Sequence, residues 1–453
     1  MTQLPDARFG SLLPDMRKGA PGPGSRALLK RLRAVESRNV TYGGANWPVF
    51  WERARGANVE DVDGNVYVDL TGAFGVALLG HSHPGVMAAI RQQSEHLVHG
   101  MGDVHPPRAK VAFLEKLTRV APWPEARAFL GTSGAEAVET ALKTAQLATG
   151  KPGVVAFEGG YHGLTLGALS TTSRPHFRRP FFERLYPGVA VCPFPDLLRD
   201  ADAAAASLAA VERAIVDGGP NGDAVGAIII EPVQGRAGAR VAPHGFMAHL
   251  SAMSRDAGVV LIADEILTGM GRCGAYFASE RVGLRPDVIC VGKALGGGLP
   301  LSACLAPPSV MDAWPESDGE AIHTSTFLGH PLACAAGAAV LDALENEAVP
   351  QRVGLLGGRL MVALRGALAG GLGVADIRGL GLLIGIEFAA GRNRSPSVGR
   401  AVRVAEAALQ RGLLVLPAGD QGHVLELTPS VDMTETQMRF AVDSLVEAVR
   451  ETA

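Results

Sequence analysis

The apolar run Val288–Val291 ends on Gly292, and a single lysine, Lys293, follows it before three glycines at 296–298. A lysine there can be an ordinary solvated cation. Held out of water, it loses its proton more readily, and the neutral ε-amine is a nucleophile that forms imines with carbonyl compounds. The glycines would let another group come close to the backbone. A second apolar run, VVLIAD (259–264), ends on Asp264, with Glu265 directly after it. A carboxylate at the end of a buried strand needs a cation or a hydrogen-bond donor. A helix cap or a salt bridge would meet that need. So would the N–H of a pyridinium ring, which in its protonated form accepts carbanion electrons.

Two further stretches supply what a flat, phosphorylated ring would need. FLGTSGAEAVETALKTA (129–145) reads as an apolar strand end, a Gly/Ser/Thr turn and a helix. The backbone N–H groups at such a start suit a phosphate monoester, although many turns of this kind only cap their helix. FEGGYHGLT (157–165) places Tyr161 and His162 after another strand, where an aromatic either stacks on a heterocycle or packs within its loop.

These residues need a frame. From about 75 to 330, helical patterns alternate with short runs that are apolar on both faces: GVVAF (153–157), VGAIIIEP (225–232), VVLIAD and DVICVG (287–292). Such runs predict an α/β fold with a mainly parallel sheet under helices, whose ligands bind beyond the carboxyl ends of the strands. The residues that terminate the runs are Glu231, Asp264 and Lys293. The Pro/Gly-rich residues 1–24 read as a flexible or draped arm. A helix is predicted over 25–38, opening on Ser25, and strands over 49–71 around an Asp63–Gly64 turn. After about 336 the pattern becomes that of a smaller α+β domain. The expected division is an arm (1–24), an N-terminal segment joining the small domain (25–74), a large domain (75–335) and a small C-terminal domain (336–453).

Composition narrows the function classes. The chain has 453 residues, 47% hydrophobic and 19% charged, with a formal net charge of −3, and no basic block or basic–aromatic stripe that would suit nucleic acid. No apolar stretch approaches the roughly 18 residues of a membrane span, and the N-terminus lacks a signal-peptide core. Five cysteines without a CxxC pair predict reduced thiols in a cytoplasmic protein, with neither a disulfide frame nor a metal site.

GTSGAEAVETALK, YHG, EPVQG, LIADEILTGMGRCG, VGKALGGGLPLSA and HTSTFLGHPLACAAG occur in this order. Together with RGLGLLIGIEF near the C-terminus they resemble the class III aminotransferases, pyridoxal 5'-phosphate enzymes of fold type I, over roughly residues 45–450. The resemblance implies that Lys293 forms the Schiff base with the cofactor and then moves the substrate proton. It implies that Asp264 pairs with the pyridine nitrogen and that Tyr161 stacks on the ring with His162 beside it. Ser133, Gly134 and Ala135 would hold the phosphate. Thr326 is similar to the family threonine that reaches the phosphate from a neighbouring subunit, which implies a homodimer with shared sites. An amino donor and a keto acid or aldehyde acceptor would then react in turn.

Four positions depart from the family pattern. Leu164 stands where many relatives carry a carboxylate-binding arginine, Leu267 where many carry glutamine, and His330 where asparagine is frequent. Relatives that use glutamate often pair a glutamate after EP(V/I)QG with an arginine in VLRxxPP. Here these are Arg236 and Glu426, with both signs reversed. The reversed pair is expected either to face each other, Arg236 taking a substrate carboxylate and Glu426 an ammonium or hydroxyl, or to stand apart, with Glu426 facing solvent on a small-domain strand and Arg236 capping nearby carbonyls. A racemase or epimerase needs an acid/base on each face of Cα; the resemblance to related racemases implies an acidic residue at position 236, where Arg236 is a poor base. An aminomutase stays open, as does a non-catalytic cofactor binder, against which the presence of both Lys293 and Asp264 speaks. GKALGGG has neither nucleotide-loop spacing.

Overall fold

A computed structural model describes residues 8–391 and 395–453. The strands are, in chain order, β1 (Trp51–Arg55), β2 (Asn58–Asp61), β3 (Val66–Asp69), β4 (Arg127–Gly131), β5 (Gly153–Phe157), β6 (Val189–Cys192) and β7 (Val225–Ile230). A short hairpin follows, β8 (Val233–Gln234) and β9 (Arg240–Val241), then β10 (Val260–Asp264), β11 (Val288–Val291) and β12 (Ser302–Ala306). The remainder are β13 (Val374–Leu380), β14 (Leu383–Ala390), β15 (Ser395–Pro396), β16 (Leu413–Leu414), β17 (Leu416–Ala418) and β18 (Val424–Leu427).

The central sheet has seven strands in the order β4-β12-β11-β10-β7-β5-β6. Neighbours are parallel from β11 to β6, while β12 is antiparallel to both β11 and β4. Six of the seven strands therefore run the same way, and their carboxyl ends share one edge. Period-two alternation assigns the faces. Val155, Ile228, Leu261, Ile289 and Leu305 pack on one side. Val154, Ile229, Ile262, Val288 and Cys290 pack on the other, with Ala137, Val138 and Ala141 of the helix Gly134–Thr149. Asp264 has the parity of Val260 and Ile262, so its side chain lies on the face covered by that helix. Each such valine or isoleucine contributes about 1.5–3 kcal/mol by leaving water.

The other sheets join the two ends of the chain. β16 pairs in parallel with β3, so residues near 413 complete the N-terminal sheet. β13, β14, β18 and β17 form an antiparallel sheet carrying Glu426 on β18. The helix Pro331–Asn346 runs through the expected boundary at 335/336, and its Cys334, Val340 and Leu344 pack in the large-sheet core. The described part of the arm is draped: the Gly10 and Leu12 N–H groups donate to Asn58 Oδ1. The helix predicted to open on Ser25 starts at Pro23 instead. Proline is pre-organised for a first helical position. Ser25 is buried, its Oγ accepting from the Phe50 N–H at 3.2 Å.

Glu265 anchors the loop that leaves Asp264. It is fully buried, and its carboxylate accepts from Ser279 N at 2.7 Å, Ala278 N at 3.0 Å, Ser279 Oγ and Thr268 Oγ1. Glu265→Ala would leave two buried N–H groups without acceptors, at about 1–3 kcal/mol each. Denaturant unfolding of this variant should show a loss of at least about 2 kcal/mol; an unchanged midpoint would show that Glu265 does not hold the loop.

Candidate functional site

The carboxyl edge of the central sheet opens into a cavity of about 470 Å3. Lys293, Asp264, Tyr161, His162, Gly134, Ala135 and Arg236 all line it, together with Leu164 and Leu267. β11 delivers Lys293 through a short turn, Lys293–Gly296, that starts with Lys293 at φ +46°. A non-glycine residue in that region is strained, and such strain persists only where the surroundings over-determine it. No hydrogen bond or ion pair of the Lys293 amine to the described residues is found. Burial pushes its pKa down, against the pull of Asp264, Glu426 and Glu231. The amine therefore reaches its neutral, nucleophilic form more readily than a solvated lysine does.

Of the three glycines after it, only Gly298 lines the cavity. A Cβ on Gly297 would lie 2.8 Å from Val86 Cγ1 and 2.9 Å from Val340 Cγ2, and one on Gly296 3.3 Å from Leu301 Cβ. Those two serve close packing of the turn, and Gly298 alone leaves room on the cavity side.

Asp264 is 3% exposed and occupied in a way its local sequence does not reveal. His162 Nδ1 lies 2.7 Å from Asp264 Oδ2, and the Ile266 N–H donates to Oδ1 at 3.1 Å. Burial disfavours charge on His162, and the bond to Asp264 outweighs it, holding the imidazole above its ordinary pKa. Each carboxylate oxygen has two lone pairs, so Asp264 keeps acceptor capacity for another donor. Beside this pair lies Glu231, which directly follows β7. It accepts from Tyr161 N at 2.9 Å and Gly235 N at 3.0 Å, and burial raises its pKa to about 7. Glu231 thus fixes the backbone that presents Tyr161, whose ring packs edge-on against Phe177 at 5.7 Å.

At the start of the helix Gly134–Thr149 the first N–H groups have no partner within the helix. Gly134 and Ala135 face the cavity, whereas Ser133 is exposed and turns its Oγ back to the Glu136 N–H as a cap. Thr132, of the Gly/Ser/Thr turn read from the sequence, lines the cavity beside them. Gly163, at φ +123°, lets the Tyr161–His162 loop close on this helix, since its Cβ would sit 2.8 Å from Ala135 Cβ. Thr326 is exposed and lies outside the cavity lining of this chain.

Arg236 and Glu426 are not joined by an ion pair. Arg236 lines the cavity, and Glu426 is buried behind it with Oε2 lacking a hydrogen-bond partner. Burial pushes the Glu426 carboxyl up, against the pull of Arg236, Lys293 and Arg272. The two side chains therefore sense one another without contact. Among the described residues no cluster of three or more His, Cys, Asp or Glu could hold a metal ion, and no helix is long and apolar enough to cross a membrane.

The cavity fits pyridoxal phosphate on its own chemistry. It offers an amine without a counter-ion, a buried carboxylate with spare acceptor capacity, an aromatic loop and open helix N–H groups, all on one sheet edge. Comparison with known proteins agrees. An acetylornithine aminotransferase of Methanothermobacter thermautotrophicus is 35% identical over 404 residues, 89% of this chain and 94% of that protein. A 5-aminovalerate aminotransferase of Pseudomonas aeruginosa, DavT, is 36% identical over 440 residues, 95% of this chain and 99% of its own. Among solved structures, a PLP-bound amine transaminase from an uncultivated Pseudomonas species superposes with a TM-score of 0.85 at 28% identity, covering 92% of this chain and 99% of that one. Residues 40–449 match the family described as Aminotransferase class-III, and this chain belongs to it, as a pyridoxal-phosphate-dependent aminotransferase.

Proposed function

We propose that this enzyme moves amino groups from donors that carry a carboxylate, with Lys293 as the catalytic base and Arg236 as the anion anchor. The observation that carries this reading is the Lys293 amine, unpaired and held out of bulk water in the same cavity as Asp264. Pyridoxal phosphate supplies an aldehyde and an electron-accepting ring when bound. Lys293 Nζ would hold the aldehyde and move the substrate proton. Asp264, braced by His162, would keep the ring nitrogen protonated. Tyr161 would cover one face of the ring. The Gly134 and Ala135 N–H groups would take the phosphate, with Ser133 fixing the helix start that presents them.

Arg236 is a cation facing the cavity without an acidic partner, which suits a substrate carboxylate. Glu426, with one oxygen unpaired, suits an ammonium or hydroxyl on the same substrate. Leu164 and Leu267 give the remaining wall an apolar character, so the site prefers an apolar stretch between its polar ends.

A homodimer and a cytoplasmic location complete the reading. Thr326 sits on a surface with Ile322 and Phe327 exposed, tied by the Thr324–Asp103 bond to exposed Val98, Met101 and Val104. Apolar surface gathered in this way supports an interaction face, and a second copy there would bring Thr326 to a phosphate. All five cysteines are free and buried, in keeping with a reducing compartment.

A donor panel of 4-aminobutyrate, 5-aminovalerate, N-acetylornithine and neutral amines, read by bleaching of the bound cofactor's visible absorbance, tests the reading. Carboxylate donors should react best, and Arg236→Ala should raise their KM by about tenfold or more, the worth of one charged hydrogen bond. Unchanged KM for the carboxylate donors in Arg236→Ala would remove Arg236 from this role; unchanged KM and kcat in Glu426→Ala, in both half-reactions, would remove Glu426.

The depressed pKa of Lys293 also has a thermodynamic consequence. The unfolded chain binds the proton more tightly at this position, so stability is lost as pH falls below the unfolded lysine value of about 10.4. Lys293→Met removes that penalty. The cofactor-free variant should melt above the cofactor-free parent at pH 7, and the gap should close as pH approaches 10. A gap that is absent at pH 7 would mean that the Lys293 amine is not desolvated.

A further inference from the structure

The wall of the cavity beside Val76 rests on an improbable piece of backbone. Gly72, Ala73, Phe74 and Gly75 follow one another at φ +49°, +50°, +60° and +82°. Four successive left-handed residues make a turn of the disfavoured hand, and two of them carry a Cβ that opposes it. Local bonds hold it partly: Gly75 N to Thr71 O at 2.9 Å, Ala77 N to Gly72 O at 2.8 Å, and Ala73 N to Thr71 Oγ1 at 3.1 Å. The turn abuts two cavity residues. Val76 follows it directly, and a Cβ on Gly75 would lie 2.6 Å from Leu267 Cδ1.

Arg272 reaches this turn from the loop that begins at Asp264. It is fully buried, yet no carboxylate pairs with it. Its partners are three carbonyls on three separate segments: Nη2 donates to Gly75 O at 3.1 Å, and Nη1 to Pro429 O at 2.5 Å and Leu382 O at 3.2 Å. The Pro429 segment grips the same turn from its other end, since Thr428 Oγ1 donates to Thr71 O at 2.6 Å. A guanidinium can span three acceptors in one plane, which a lysine cannot. A buried cation with only neutral partners is an expensive way to fill space. Its position joins the Asp264 loop, the left-handed turn and the segment after β18 that carries Glu426.

We propose that Arg272 is a positioning residue for the reaction: it clamps the turn Gly72–Gly75 against Leu267, so that Val76 and Leu267 stand as one fixed wall for the substrate. The proposal rests on the reading of this cavity as the aminotransferase site. Arg272 touches neither cofactor-side residue of the pair Lys293 and Asp264, so its loss acts on substrate fit and leaves the cofactor in place.

The test combines amide hydrogen exchange on the cofactor-free protein with donor kinetics on the loaded enzyme, using 4-aminobutyrate, 5-aminovalerate and N-acetylornithine. In Arg272→Lys, exchange at Gly75 and Ala77 should quicken, and KM should rise about tenfold with kcat changed less than about threefold, the scale of one strained residue. Ala73→Gly removes the Cβ that opposes the turn, so in the double variant it should restore both protection and KM. Gly72→Ala should reproduce the KM defect with Arg272 intact, because its Cβ would lie 2.4 Å from Thr428 O. Unchanged exchange and KM in Arg272→Lys, or absence of rescue by Ala73→Gly, would overturn the proposal. If Arg272→Lys does not fold, a normal KM in Gly72→Ala overturns it and a raised one supports it. A parent enzyme inert toward every donor would count instead against the substrate reading, and the exchange data would still decide whether the clamp exists.

Discussion

Everything in this site depends on keeping one amine out of water without giving it a counter-ion. Charge on Lys293 is disfavoured by burial, and two of the three carboxylates that pull on it are committed elsewhere, Asp264 to His162 and the Ile266 N–H and Glu231 to two backbone N–H groups, while Glu426 makes no ion pair with it. Had either carboxylate paired with the lysine, the amine would be a locked cation and a poor nucleophile. The central sheet supplies this separation. Neighbouring strands β11, β10 and β7 present Lys293, Asp264 and Glu231 along one edge, and the second partners of each acid come from loops on either side.

Much of that frame is legible in the sequence because buried parallel strands are apolar on both faces and their terminators stand out. The runs at 153–157, 225–232, 259–264 and 287–292 contain β5, β7, β10 and β11, and three of them carry a charged residue at or just past the end that lines the cavity. What local pattern does not carry is pairing between distant segments. His162 and Asp264 are 102 residues apart, and nothing near either one announces their bond. Gly163 belongs to the site through the approach of a loop to a helix, which single-chain periodicity does not encode.

The differences between expectation and structure have the same origin. Ser133 has the right type for an anion site, but a helix start needs a cap, and its hydroxyl answers that local demand. The glycines at 296–298 look like one clearing, yet two of them exist because Val86, Val340 and Leu301 press on the turn. Opposite charges at 236 and 426 suggest a salt bridge, yet Arg236 faces the cavity while Glu426 stays behind it with an unsatisfied oxygen. In a low-dielectric interior such a pair interacts without contact, and Arg236 stays open to the cavity.

The central claim is that the unpaired amine at Lys293 is the point of covalent attachment for pyridoxal phosphate. Borohydride reduction of the cofactor-loaded protein, followed by digestion and mass spectrometry, tests it most directly. One pyridoxyl group per chain is expected, on Lys293, and none in a Lys293→Met variant. A pyridoxyl group on another lysine, or no stable adduct in a protein that is visibly loaded, would contradict it.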